Sequence, residues 1–271
     1  MDCARQKGAP SGLASYHVGV PKVSAVLIAQ NEQDRIEAAI RSLAFCDEVL
    51  VVDGGSTDGT ADRVRSLGAR LLQRPFDGFV AQKNFALDHA TNEVVLSLDA
   101  DEEVSHALRA EIVEICGGDV LPKAGYRMPR VTHYLGHEIR ATDWYPDWQL
   151  RLFDRRYGRF EGDLVHESVR INGDIGRLRG EIVHRPYRDE DDHLRRIDRY
   201  TTLWAQAAHR KGKTVVPGLG EAAAAFAFIR NYIFKRGVTL GDVGYRISRM
   251  NAFYVRQKFA KLKKLQSASS E

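Results

Sequence analysis

The sequence predicts an α/β fold, in which a mostly parallel sheet has helices on both faces and is followed by a basic amphipathic helical segment. Between Val23 and Leu98, short β-branched runs alternate with amphipathic stretches, which is typical of repeated βαβ units. The predicted strands are apolar almost throughout. Strands buried on both faces have this composition, so we expect a largely parallel sheet covered on each side by helices.

The predicted elements alternate along the first hundred residues. The strands are VSAVLIA, EVLVVDGGS, ARLLQ and EVVLSLDAD. The helices are QDRIEAAIRSL, DGTADRVRSLG, a segment from about Val80 to His89 and one from about His106 to Cys116. We expect Ser56 or Thr57 to cap the second of these helices, and Gly68 to end it.

Three segments are expected from composition: a loose leader over residues 1–20, an α/β domain over 21–215 and a basic helical tail over 216–271. The leader has no apolar core of the kind found in secretory signals. The three cysteines, Cys3, Cys46 and Cys116, are far apart, which argues against a disulfide framework and favours the reducing cytoplasm. No apolar run approaches the roughly eighteen residues of a membrane-spanning helix.

Positive charge is concentrated near the carboxyl end. The chain has a formal charge of +4, but residues 230–264 contain ten Lys or Arg and one acid, so this segment carries +9 and the remainder −5. Within it, Val243, Ile247, Met250 and Tyr254 recur at helical spacing. Such a helix either settles on an anionic membrane surface or packs on the domain with a solvated basic face. Its aromatic residues do not form a stacking platform on strands, so we expect no nucleic-acid partner.

Acidic and polar clusters follow three of the predicted strands, at the edge where a doubly wound sheet holds its ligand. They comprise Asn31 and Glu32, the segment 53–58, and the segment 99–103. The first two are equally compatible with helix capping and turn formation. The third crowds Asp99 and Asp101 together with two further acids, and mutual repulsion calls for a compensating cation. Carboxylate oxygens suit Mn²⁺ or Mg²⁺, although a solvated helix start is the structural alternative.

Four segments resemble family 2 glycosyltransferases with the inverting GT-A (nucleotide-diphospho-sugar transferase) fold: AQNE at 29–32, VVDGGSTDGT at 51–60, QKNFAL at 82–87 and LDADE at 98–102. Downstream, GYRMPRVTHYLG, WYPDWQLRLF and LVHESV resemble bacterial lipopolysaccharide core β-glucosyltransferases. This resemblance implies a nucleotide-binding half over 21–104 and an acceptor half over 105–215. It also implies a UDP-linked nucleotide-sugar donor, and transfer of a sugar such as glucose to a glycolipid or envelope saccharide such as the lipopolysaccharide core.

The resemblance also implies roles for individual residues. The nucleotide-sugar would be bound by Ala29, Asn31, Glu32, Asp53, Asp58, Lys83, Asp99 and Arg151. Asp99 and Asp101 would form the DXD pair that binds the metal, with His166 as a third ligand or a diphosphate contact. The sequence departs from the family at Gly54, where a second acid is common after the first. For Arg151 a structural role is the alternative to phosphate binding: its guanidinium would hold Asp147 or Asp154 in place.

An inverting transfer needs a base that takes the proton of the attacking acceptor hydroxyl. Asp147, in WYPDWQLRLF, is the first candidate and Glu167, in VHES, is the second. Two other functions stay open at this point: a nucleotidyltransferase built on a similar sheet, and a non-catalytic adaptor at a membrane surface. As an enzyme, the protein is expected in the cytoplasm, peripheral to the inner face of the cytoplasmic membrane.

Overall fold

The computed structural model describes residues 22–118, 120–163 and 166–268. It consists of two compact units: one contains residues up to Met128 together with Leu150–Glu181, and the other contains Pro129–Gln149 and Ile182–Glu271. The chain passes between these units more than once. The linear division expected from the sequence stays a prediction. The expected leader over residues 1–20 lies outside the described residues.

The described residues form strands and helices in an order that begins with regular alternation. The strands are β1 (Val23–Ala29), β2 (Glu48–Asp53), β3 (Arg70–Gln73), β4 (Val94–Asp99), β5 (Glu102–Val104), β6 (Gly125–Tyr134), β7 (His137–Ile139), β8 (Asp147–Asp154), β9 (Gly158–Asp163), β10 (His166–Ile171), β11 (Ile175–Arg177) and β12 (Ile182–His184). The helices are α1 (Ile36–Ser42), α2 (Thr60–Ser66), α3 (Phe79–His89), α4 (His106–Ile115), α5 (Glu190–Arg210), α6 (Leu219–Ile229) and α7 (Gly241–Ala268).

The sheet of the first unit has the strand order β3-β2-β1-β4-β8-β6. Strand β1 lies parallel to both β2 and β4, and β2 lies parallel to β3. Strand β8 is antiparallel to β4, with Leu96 opposite Leu152. A separate antiparallel ribbon consists of β9 and β10. The predicted α/β class with a mostly parallel sheet is confirmed.

Consecutive residues of the central strands are buried, as expected for a sheet covered on both faces. In β1 every residue except Ile28 is buried, and β4 is buried from Val94 to Leu98. Because successive side chains of a strand point to opposite faces, this pattern requires cover on each side. Helix α3 contributes Ala86 and Leu87 to the core. The parallel strands therefore end at one edge, where their loops carry the polar clusters.

In the second unit, residues 130–132 of β6 pair with β12 in parallel, and its last residues pair with β7 in antiparallel fashion. Helix α7 packs against α5 and α6. Part of the apolar stripe of α7 belongs to the core of this unit, since Val243 and Ile247 are buried against Tyr134 and Ile139. The predicted C-terminal helices are confirmed. Among the described residues, no helix is both long enough and apolar enough to cross a bilayer.

One local expectation was wrong, and one helix was not predicted. Neither Ser56 nor Thr57 caps α2, because the helix begins later, at Thr60, with Gly59 at the cap position. Helix α5 was not predicted, because its sequence is dominated by charge and only a narrow stripe of it is buried. The signals were nevertheless present: Asp189 caps the helix by accepting from the backbone N–H of Asp192, and three acids occupy the first turn.

Candidate functional site

The loops that follow β1 and β2 are joined by reciprocal hydrogen bonds. The backbone N–H of Asn31 donates to Oγ of Ser56 over 2.9 Å, and Oδ1 of Asn31 accepts from the N–H of Thr57 over 2.9 Å. Asn31 has a φ of 58°, a left-handed conformation that asparagine tolerates better than most residues. The two loops consequently form one structured edge above the ends of the central strands.

Three predicted nucleotide-binding residues help to build this edge. Asp53 is buried and accepts from the N–H groups of Gly55 and Ser56. The carbonyl of Ala29 accepts from the N–H of Gly54 over 2.8 Å. Partial burial of Asp58 raises the pKa of its carboxyl. Hydrogen bonds from Thr60 and from the backbone N–H of Gln33 have the larger combined effect, so the pKa is lowered overall. These contacts support the turn-forming interpretation of the cluster, and the predicted roles in nucleotide binding stay predictions.

Arg35 lies between two of the predicted site carboxylates. Its Nε is 2.7 Å from Oε2 of Glu32, and its Nη1 is 3.6 Å from Oδ2 of Asp101. Arg35 was not among the site residues predicted from the sequence. Its signal is its position three residues after Glu32, at the start of α1, where an arginine reaches back over one helical turn.

The strongest concentration of charge surrounds Asp99, at the end of β4. One carboxylate oxygen of Asp99 is 2.8 Å from Nζ of Lys83, and the other is 2.7 Å from Nη2 of Arg151. Lys83 also lies 3.0 Å from Glu167, and Arg151 lies 2.8 Å from Glu102. Lys83, Glu102 and Arg151 are buried. The structure therefore brings three predicted site residues together with the second base candidate.

Arg151 keeps its charge inside this cluster. Burial alone would lower the pKa of its guanidinium, but Asp99 and Glu102 raise it well above its usual range. The sequence left open whether Arg151 contacts Asp147 or Asp154. In the structure its guanidinium contacts Asp99 and Glu102. From the sequence, Glu102 was expected only to add negative charge to the cluster. The carboxylate of Glu102 is buried because it is satisfied there: besides Arg151, it accepts from the backbone N–H of Asp99 over 3.0 Å.

The donor set at this edge suits a divalent cation held mainly by substrate. Within residues 22–118, 120–163 and 166–268, no three His, Cys, Asp or Glu side chains converge on one point. The side chain of His166, the predicted third ligand, lies outside the described part. Asp99 and Asp101 supply hard carboxylate oxygens, and Mg²⁺ is commonly held by one or two carboxylates, with phosphates and water completing the shell. The residues present fit such an ion.

Asp147 lies in the second unit, where it lines a cavity of about 360 Å³. Its Oδ2 is 2.6 Å from Nη2 of Arg130, and its Oδ1 accepts from Gln149 over 2.6 Å. The cavity is also lined by Thr132, Asp143, Trp144, Pro146, His184, Pro186 and Tyr187. Aromatic rings beside carboxylates and an imidazole form an environment that suits a polyhydroxylated ligand, whose apolar face stacks while its hydroxyls hydrogen-bond.

Comparison with known proteins identifies the same relationships as the sequence motifs. Residues 24–162 match the family model described as "Glycosyl transferase family 2". The chain is 32% identical over 204 residues to the lipopolysaccharide core biosynthesis glycosyltransferase LpsC of Rhizobium meliloti, covering 72% of this chain and 75% of that protein. An uncharacterized glycosyltransferase of Rickettsia typhi is 29% identical over 265 residues, covering 90% of this chain and 87% of that protein.

A solved structure with a similar chain trace is that of glucosyl-3-phosphoglycerate synthase from Mycobacterium tuberculosis in complex with Mg²⁺ and UDP. It is 18% identical, with a TM-score of 0.43, over 72% of this chain and 81% of that one. The family match covers more than half of the chain, and the match to LpsC covers most of both proteins. The chain therefore belongs to glycosyl transferase family 2.

Proposed function

We propose that this protein is an inverting, metal-dependent glycosyltransferase that moves a sugar from a UDP-linked donor to a cell-envelope saccharide. The observation that carries the proposal is the position of Asp99 between Lys83 and Arg151, next to Asp101, at the carboxyl end of β4. In an open α/β sheet this edge is where ligands bind. A cluster that combines acids with buried cations is suited to a ligand that carries both phosphate and metal.

On the donor side, Asn31, Glu32, Asp53 and Asp58 belong to the loops that would border the nucleotide. Hydrogen bonds between these residues and Ser56, Thr57 and Thr60 join the two loops, so little ordering entropy is lost when a ligand binds. Lys83 and Arg151 would lie near the diphosphate. A guanidinium and an ammonium both attract phosphate oxygens, and the neighbouring acids restrain their positions.

Asp101, with Asp99, would hold Mn²⁺ or Mg²⁺. When bound, the ion supplies positive charge that stabilises the departing nucleoside diphosphate. The same two carboxylates contact cations of the chain: Asp99 contacts Lys83 and Arg151, and Asp101 lies 3.6 Å from Arg35. These three cations keep the acid cluster tolerable in the free protein.

On the acceptor side, we assign Asp147 as the base and the cavity that it lines as the acceptor site. The acceptor hydroxyl attacks the anomeric carbon, its proton passes to the carboxylate, and the bond to the nucleoside diphosphate breaks with inversion. Arg130 and Gln149 orient the Asp147 carboxylate. Glu167 is the alternative base, but its contact with Lys83 associates it with the donor cluster instead.

The acceptor class rests on the relative LpsC, which is described as a lipopolysaccharide core biosynthesis glycosyltransferase. We extend this description to an envelope saccharide or glycolipid acceptor for the present chain. A glycolipid acceptor would require the enzyme to work at the inner face of the cytoplasmic membrane, as a peripheral protein.

The decisive experiment combines donor binding with product analysis. Thermal unfolding would be followed with UDP, GDP, ADP and CDP, each with and without Mn²⁺, since a ligand that binds only the folded state raises the melting temperature. We expect stabilisation by UDP that depends on Mn²⁺. Incubation with UDP-glucose and detergent-solubilised lipopolysaccharide core should then release UDP.

Each result bears on the proposal. Release of pyrophosphate from a nucleotide substrate would instead indicate a nucleotidyltransferase. Absence of stabilisation by every nucleotide, in protein with an intact cooperative unfolding transition, would overturn the donor site and favour the non-catalytic adaptor. Stabilisation by GDP or ADP alone would contradict the assignment of uridine while retaining a sugar transfer.

A further inference from the structure

The segment that joins α6 to α7 exposes several large apolar side chains. A π-helical turn (Arg230–Phe234) continues α6, and a 3-10 turn (Gly237–Leu240) leads into α7. Exposure reaches 71% for Phe234, 58% for Phe226 and 57% for Ile233. We call the exposed apolar residues of this segment and of the end of α6 the apolar turn surface; its members are Phe226, Ile229, Ile233, Phe234 and Val238.

Most of the apolar turn surface lies on one side of α6 and its π-helical continuation, and the other side packs against α7. Phe226, Ile229 and Ile233 are spaced by three and four residues and therefore share a face. On the opposite side, the rings of Phe228 and Tyr232 pack 5.8 and 5.9 Å from that of Tyr245 in α7. Packing within the unit thus accounts for one side of α6 and leaves the other directed to solvent.

The turn is held in place by polar contacts within its own unit. The buried side chain of Asn231 accepts from the backbone N–H of Asp143 over 2.9 Å and donates to its carboxylate over 2.8 Å. The carbonyl of Lys235 accepts from the N–H of Thr142 over 2.8 Å. The large apolar side chains are therefore presented by a fixed backbone, which lowers the entropic cost of binding a partner.

Charge indicates which partner fits. Residues 222–241 contain Arg230, Lys235 and Arg236 but no Asp or Glu. Arg230 forms an ion pair with Asp143 of the same unit, so Lys235 and Arg236 are the cations on which the proposal rests. Aromatic and aliphatic side chains that enter the acyl region, with cations at the level of the headgroups, match an anionic lipid surface. We propose that the apolar turn surface docks the protein on an anionic bilayer. The choice of a lipid partner rests on the proposed glycolipid acceptor, which must be reached at such a surface.

Two other arrangements fit the same features less well. The stripe of α7 is a poorer membrane face, because Val243 and Ile247 are buried in the core of the unit. A second copy of the chain is disfavoured, because a two-fold contact through this surface would place Lys235 and Arg236 of one copy close to the same residues of the other. An anionic lipid surface satisfies both the apolar and the cationic residues.

The test uses the full chain with vesicles of phosphatidylcholine, alone or mixed with phosphatidylglycerol in equal parts, and measures co-sedimentation without any donor or acceptor. We expect binding to the mixed vesicles only. The double variant Ile233→Ser/Phe234→Ser should weaken binding at least about tenfold, because two large apolar side chains no longer enter the lipid. Lys235→Ala should weaken it about fivefold.

Matched controls separate this surface from the rest of the chain. Val120→Ser removes a comparably exposed apolar residue, and Lys264→Ala removes an exposed cation near the end of α7. Both should bind as the unchanged protein does. Equal binding by the double variant, with an unchanged melting temperature, would overturn the proposal, as would a dimer in buffer that the same variant abolishes. Because no turnover is measured, failure here is distinct from failure of the proposed reaction.

Discussion

Nζ of Lys83, in α3, lies 2.8 Å from a carboxylate oxygen of Asp99, at the end of β4. The same ammonium lies 3.0 Å from Glu167 in β10. One buried cation thus links a helix, a strand of the main sheet and the separate ribbon. The arrangement gives Lys83 two roles: it neutralises the acid cluster in the free protein, and it lies where the proposed diphosphate would bind.

Replacement of Lys83 by Met should destabilise the protein by about 2 kcal/mol, because it removes the buried ammonium from Glu167 and leaves Asp99 with Arg151 as its buried counter-charge. The measurement is the urea concentration at half-unfolding, with its slope checked for constancy. Lys123→Met is the matched control, since Lys123 is exposed and its contact with Asp174 is 3.6 Å long; we expect a change within about 0.5 kcal/mol. Equal effects at the two positions would contradict a structural role for Lys83.

Replacement of Asp101 by Asn should abolish turnover while the protein stays folded. The amide keeps the shape of the side chain but loses the charge that a divalent cation requires. We expect the Mn²⁺-dependent stabilisation by UDP to disappear as well. Asp62→Asn, at an exposed position in α2, should leave both properties unchanged. Normal turnover by the Asp101 variant would remove this residue from the proposed metal site.

Asp147→Asn and Glu167→Gln distinguish the two candidate bases. Loss of the base should lower kcat by about 10²–10⁴-fold, the usual contribution of general base catalysis, and leave stabilisation by UDP intact. We expect this pattern for Asp147→Asn. Glu167→Gln should instead weaken donor binding, because Glu167 contacts Lys83. The reverse pattern, in which only Glu167→Gln loses kcat with donor binding retained, would reassign the base.

His193 should make stability depend on pH. Burial lowers the pKa of its imidazole from 6.5 to about 4, although Asp192 and Glu190 act in the opposite direction. Between these pH values the unfolded chain binds a proton that the folded protein does not, so the contribution of His193 is complete above pH 6.5 and is lost as pH falls towards 4. The slope approaches about 1.4 kcal/mol per pH unit.

His193→Phe removes this titration and keeps an aromatic ring next to Tyr187, whose centroid is 4.0 Å from that of His193. The free energy of unfolding, measured by urea titration at several pH values, should depend less steeply on pH in this variant across the window. His137→Gln, at an exposed position, is the control. Parallel pH profiles for the unchanged protein and His193→Phe would contradict a buried neutral imidazole.

The sequence by itself determined the first four strands, most helices and the family. Apolar runs such as Val94–Leu98 predicted buried parallel strands, because strand composition reflects burial directly. The clusters at Asn31, Asp53 and Asp99 were expected at one sheet edge, because parallel strands end there together. Motif order and spacing then identified the glycosyltransferase family, which the comparisons confirmed. The highly charged helix α5 was not predicted, because its apolar stripe is narrow.

Tertiary structure alone decided which charges meet. The acid cluster was expected to need a cation, and a metal was inferred, but the fold places Lys83 and Arg151 against Asp99. Lys83 and Glu167 are 84 residues apart, so no local pattern relates them. The same applies to the side of α7 that is buried, since an amphipathic stripe is equally suited to a protein core or a membrane. Contacts between distant residues depend on register and packing, which local sequence does not encode.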